Sequence, residues 1–187
     1  MMDILDFTKQ VVETYVEKGE IISPLKDLPK EFLTRRAGVF VTIMKDKELR
    51  GCIGTYLPNK KNIAEEIISS AIAAASEDYR FGPIKKEELP SLSYSVYILG
   101  EPELVEDKKE LNPKKFGIIV KTVPLSSPTG IDVLFSGHLR LKSGLLLPDL
   151  EGVDTVEEQI SIACQKGGIN PLKEKIIIYK FTVEKYQ

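Results

Sequence analysis

At 187 residues, with 42% hydrophobic and 29% charged side chains, the chain carries enough apolar material for one good-sized core or two small ones, which excludes a largely disordered polymer. Its 26 basic and 28 acidic residues leave a formal charge of −2, which excludes a general nucleic-acid binder built on a basic excess. Two cysteines outside any CxxC pair and a single histidine exclude a disulfide framework and a four-cysteine zinc cluster.

The start, Met1-Met2-Asp3, lacks a basic stretch followed by a sustained apolar one, and the densest apolar run, Ile67 to Ala75, is broken by Ser69 and Ser70. A cytoplasmic protein without a membrane span, its thiols reduced, is the expectation. Ile4, Phe7, Val11, Val12 and Tyr15 recur at helical spacing before Gly19, predicting an amphipathic opening helix with a glycine cap. After a Pro-containing link and a short turn at Glu31 to Arg35, Gly38 to Met44 and Leu49 to Tyr56 predict a hairpin that turns at Asp46 and Lys47. Asn62 with Glu65 predicts the start of a helix through Ser76, and Leu92 to Leu99 a third strand. In the second half, strands are predicted at Gly117 to Val120, Ile131 to Phe135 and Gly144 to Pro148. A helix capped by Thr155 and Glu158 runs to Lys166, and a long strand spans Lys175 to Glu184.

The two halves share a grammar. Ala64 to Ala71 matches Val156 to Ala163 at five of eight positions, at an offset of 92 residues, which points to an internal duplication. The predicted class is α+β: two similar strand–strand–helix–strand halves sharing one mainly antiparallel sheet, with helices outside. A single domain over 1–187 is expected, in two lobes at about 1–110 and 111–187.

Chemistry concentrates at Leu49-Arg50-Gly51-Cys52-Ile53-Gly54. Two glycines in a strand permit a bulge or the close approach of a backbone or ligand. Regular alternation puts Arg50, Cys52 and Gly54 on one face and Leu49, Gly51 and Ile53 on the other. A guanidinium beside a thiol favours the thiolate. The plainer alternative is that Cys52 is a small buried hydrophobe. His138, the one histidine, is not tied to Cys52 by any spacing, and Cys164 sits among core-type neighbours. Asp78-Tyr79-Arg80-Phe81 follows the first long helix as an irregular loop mixing carboxylate, guanidinium and aromatics, which is either a functional loop or a helix-ending turn with a local Asp78–Arg80 pair.

The hexapeptide resembles the signature of the AMMECR domain family, and Asp78 to Phe81, Gly144 to Pro148 and the helix through Cys164-Gln165-Lys166-Gly167-Gly168 agree with it in order and separation. The resemblance spans about residues 4 to 185. It implies an α+β fold with two similar halves around a barrel-like sheet, and partner proteins of the Memo or radical S-adenosylmethionine type. Two positions depart from the family pattern: Tyr79 stands in place of proline and Phe116 in place of a histidine. Residues 121–143, which contain His138, form an apparent insertion.

Two functions are therefore weighed. The first is a binding module for a partner protein or small anionic ligand, with Leu49, Arg50, Gly51, Cys52, Ile53, Gly54, Asp78, Arg80 and Phe81 as its site. The second is a thiol-dependent enzyme of acyl or group transfer, with Cys52 as nucleophile, Arg50 favouring its thiolate and Asp78 or a substrate group handling protons. A third, purely structural reading has the hexapeptide only shaping the sheet. No cofactor or metal is expected, and neither is a nucleic-acid or membrane partner.

Overall fold

The structure is a computed structural model, which describes residues 2–123 and 141–187. Its elements are α1 (Ile4–Lys18), α2 (Lys30–Thr34), β1 (Val39–Lys45), β2 (Glu48–Gly54), α3 (Ile63–Ser76), β3 (Leu92–Leu99), β4 (Glu103–Leu104), β5 (Gly117–Thr122), β6 (Ser143–Leu146), α4 (Val156–Lys166), β7 (Ile176–Phe181) and β8 (Val183–Tyr186). They fall into two compact units, Met1–Gly100 with Glu184–Gln187, and Glu101–Val183.

In the first unit, α1 starts where the Asp3 carboxylate accepts the Leu5 N–H at 2.7 Å and stops at Gly19, whose φ of 71° is left-handed. Its inner stripe, Phe7, Val11 and Val12, is buried. The β1–β2 hairpin turns at Asp46 and Lys47, both with positive φ (51° and 69°), as a turn matched to strand twist requires. Along β1, Val39, Val41 and Ile43 are buried while Phe40, Thr42 and Met44 stay half-covered. That alternation sends one face of the sheet to the helices. α3 supplies the opposing layer through Ile63, Ile67, Ala71 and Ala74, and its small residues let the sheet come close. The strand order is β2-β1-β3-β8.

The second unit has its own sheet, ordered β4-β7-β5-β6. Its core joins Ile118, Val120, Leu146 and Ile178 of the strands to Ile160, Ala163 and Cys164 of α4. A reciprocal capping box opens α4: the Thr155 hydroxyl accepts the Glu158 N–H, and the Glu158 carboxylate accepts the Thr155 N–H.

The α+β class and the antiparallel pairing are as expected, but the shared barrel-like sheet is not. Among the described residues there are two open four-stranded sheets. Closure needs strand partners at every edge. The outer edge of β2 is instead met by side chains of the 78–88 segment, and β4, at the edge of the other sheet, is two residues long. The predicted strand Lys175 to Glu184 is two strands, β7 and β8, which break at Thr182 and pair in different sheets. A continuous β-rich run carries no mark of such a change of sheet. Among the described residues the first unit includes β1, β2, α3 and β3 and the second β5, β6, α4 and β7, with sheet orders β2-β1-β3 and β6-β5-β7. Their helix caps, Asn62 and Thr155, stand 93 residues apart, so the matches at 92 lie one residue out of step with the helices. The strand expected at Ile131 to Phe135, and His138, lie outside the described residues. Among the described residues no helix is long and apolar enough to cross a membrane.

Candidate functional site

The hexapeptide forms β2 and its hairpin pairing holds a bulge. Ile43 opposes Gly51 and Met44 opposes Leu49, so Arg50 is the extra residue without a partner on β1. A bulge breaks the two-residue alternation. Leu49, opposite Met44, therefore joins the face of Cys52, which lies opposite Thr42. The expected sharing of a face by Arg50 and Cys52 gives way to an edge-directed guanidinium. Arg50 Nε and Nη2 donate to the two carboxylate oxygens of Glu88 at 2.9 and 3.0 Å, Nη1 donates to the Gly82 carbonyl at 3.0 Å, and Nη2 to the Pro83 carbonyl at 3.1 Å. Four of its five N–H donors are thus consumed. Arg50, with Lys85 N–H and Lys45 adding hydrogen bonds, pulls the Glu88 carboxyl down to about 2.

The glycines serve packing. A Cβ on Gly51 would run into the Ala74 carbonyl of α3, and one on Gly54 into the Val39 carbonyl and Phe40. The close approach that these residues permit is therefore that of backbone and sheet neighbours. Gly144 in the second unit repeats the device against the Ala163 carbonyl.

Asp78 is 2% exposed and anchors the first of two clamps, the pairing of Arg50 with Glu88 being the second. Its carboxylate accepts the Cys52 N–H at 2.9 Å, Arg80 Nε at 2.9 Å, Arg80 Nη2 at 2.7 Å and the Arg80 N–H at 3.2 Å. These bonds, Arg80's first, hold its carboxyl down at about 2. Arg80 Nη2 also reaches the Cys52 carbonyl at 3.4 Å. Asp78 and Arg80 thereby satisfy the amide and the carbonyl of Cys52 at the outer edge of β2, where another strand would otherwise pair. The charge near Cys52 is consequently Arg80, and the interaction with Cys52 adds to the rise in the Arg80 pKa. The Cys52 thiol is half-buried and its Sγ accepts the Thr42 hydroxyl at 3.2 Å. Cys164 is buried in the second core, where burial raises its pKa.

Between the two clamps the chain turns back on itself. Phe81 and Gly82 N–H donate to the Asp78 carbonyl at 3.0 and 3.1 Å, and Gly82 takes a φ of 70°. The turn leaves Tyr79 93% exposed, Phe81 and Leu49 partly so, and stacks the Arg80 guanidinium 5.1 Å from the centre of the Phe81 ring. The structure thus gathers Arg50, Cys52, Asp78, Arg80 and Phe81 around the β2 edge. Ile53 packs on the first core. Sequence reasoning missed Glu88 and Thr42. Glu88 lies in a charged run that reads as solvated surface, and nothing in spacing links residue 50 to residue 88. Thr42 carries a faint signal, as a hydroxyl at an outward position of an otherwise apolar strand.

The family model AMMECR1 matches residues 5–186. A protein of Thermotoga maritima is 49% identical over 95% of this chain and 93% of its own length. A protein of Clostridium acetobutylicum is 42% identical over 96% of the chain, which covers just 34% of that longer protein. The crystal structure of an uncharacterised protein from Pyrococcus horikoshii superposes with a TM-score of 0.78 at 34% identity, covering 97% of this chain and 87% of that one.

Proposed function

Because the chain belongs to the AMMECR1 family, and because its signature side chains spend their hydrogen bonds on holding one turn, we propose that it is a binding module presenting residues 79–83 to a partner protein. One observation carries this reading. Asp78–Arg80 and Arg50–Glu88 fix both ends of a turn whose Tyr79 is 93% exposed. A rigid loop that displays Tyr, Arg and Phe has the composition of an interface anchor and little ordering entropy left to lose. Arg50 acts as a positioning residue. For a small anionic ligand at the same place, Arg80 Nη1 is the donor left over. The match to a third of a longer Clostridium protein fits a module that also works joined to other chain, and partners of the Memo or radical S-adenosylmethionine type are the ones to try. Titration calorimetry of the full chain against such a protein from the same organism tests the reading. Tyr79→Ala and Phe81→Ala should each weaken binding by about tenfold or more while leaving the melting temperature unchanged. Unaltered affinity in both variants refutes it.

The second reading, Cys52 as a nucleophile, is favoured by the Thr42 hydroxyl on its sulfur and by the nearby Arg80. Asp78, near 2 and locked in four hydrogen bonds, is too weak a base to serve it at neutral pH.

A further inference from the structure

Two hollows of the first unit share a wall. One, of about 510 Å³, is lined by Arg36, Asn59, Lys60, Lys61 and Glu65. The other, of about 490 Å³, is walled by Ile22, Ile68 and Ile72, with Ile21 at its rim and 68% exposed. Lys60 and Glu65 line both. The loop carrying the lysines is held from two sides. Its Asn59 and Lys60 N–H groups donate to the buried Glu66 carboxylate at 2.9 and 2.8 Å, while its Pro58 and Lys60 carbonyls accept from Arg36 Nη2 and Nε at 3.2 and 3.1 Å. The loop backbone is thus held in place beside the hollow that these residues line. Three cations stand against one carboxylate there, and none of Arg36, Lys60 and Lys61 has an acidic partner in a salt bridge among the described residues. Glu65 is engaged by the Lys61 N–H at 3.4 Å.

Unneutralised cations around a concave surface favour an anion, and the adjoining hollow, of ligand size, sets its isoleucines beside Ser23, Ser69 and Glu77. Glu77 lines this isoleucine-bearing hollow and not the cationic one, so it disfavours an anionic head there and gives the pair of hollows a polarity. We propose that the first unit binds a soluble anionic amphiphile, its phosphate or carboxylate head held by Arg36, Lys60 and Lys61 and its apolar body lying over Ile22, Ile68 and Ile72. No residue of this site belongs to the 79–83 turn, so the proposal stands apart from the binding function assigned to that turn.

Calorimetry with octyl phosphate, kept below its micelle concentration, tests it, with inorganic phosphate and 1-octanol as the two halves of the probe. Octyl phosphate should bind at least about tenfold more tightly than either half, and the Lys60→Gln/Lys61→Gln double variant should lose about tenfold. Ile21→Ser should weaken octyl phosphate and leave inorganic phosphate unchanged. Circular dichroism checks that the variants fold; should the double variant unfold, Lys61→Gln alone and Ile21→Ser decide. Equal affinity in wild type and variants, or no binding of octyl phosphate, overturns the proposal. So does binding to phosphatidic-acid vesicles alone, which would make the cations a membrane contact.

Discussion

Asp78→Asn keeps the shape of the first clamp and removes its charge. An amide has one acceptor oxygen, so it cannot take the Cys52 amide and the Arg80 fork together, and a buried donor is left unpaired. A lost hydrogen bond to a charged group costs about 1.5–3 kcal/mol. The proton affinity gives a consistent figure. A carboxyl moved from 3.8 to about 2 contributes roughly 2.5 kcal/mol at neutral pH. For a chain of this size that is a fall of about 5–10 °C in melting temperature. Because the folded-state value is the lower one, the contribution is complete above the unfolded value of 3.8 and disappears as pH falls through about 2. Thermal unfolding followed by circular dichroism, in steps from about pH 7 to about pH 2, should show the wild type and Asp78→Asn curves separated at neutral pH and converging in acid. A variant that melts within about 1 °C of wild type at neutral pH, or a gap that persists near pH 2, refutes the clamp.

Further outcomes follow from the same geometry. Gly51→Ala and Gly144→Ala each drive a methyl group into a helix carbonyl and should cost about 3 kcal/mol or prevent folding, read from denaturant midpoints; a loss below about 1 kcal/mol in both refutes the packing role. Arg50→Lys keeps the charge but not the fork that spans Glu88, Gly82 and Pro83, so it should destabilise by about 1.5–3 kcal/mol, and a neutral result in the same assay counts against the second clamp. In native alkylation followed by mass spectrometry, Cys52 should label first. Cys164, buried and with its pKa raised, should label only on unfolding, and equal rates refute that order.

The helices α1, α3 and α4 were legible because each carries a local signal: Gly19 after the α1 stripe, Asn62 with Glu65, and Thr155 with Glu158. The strands were legible through β-branched runs, but their sheet membership was not, since β7 and β8 read as one. At the site, sequence brought out Arg50, Cys52, Asp78 and Arg80 together, and the structure gathers all four. It misjudged how they face, because the two glycines of β2 permit a bulge without fixing where it falls, and pairing with β1 puts it at Arg50. The partner that turns Arg50 away, Glu88, is 38 residues along the chain, and long-range ion pairs leave no periodicity to read.

The first unit is completed out of order. The chain makes β1, β2 and β3, then the whole segment from Glu101 to Val183, and only afterwards supplies the strand at the far edge of the first sheet. During synthesis the outer backbone amides and carbonyls of β3 must wait through the production of another entire unit. Over that interval a nascent chain offers its neighbours on the polysome a strand-sized docking edge. Slow elongation through the second unit should therefore be paid for in co-translational aggregation.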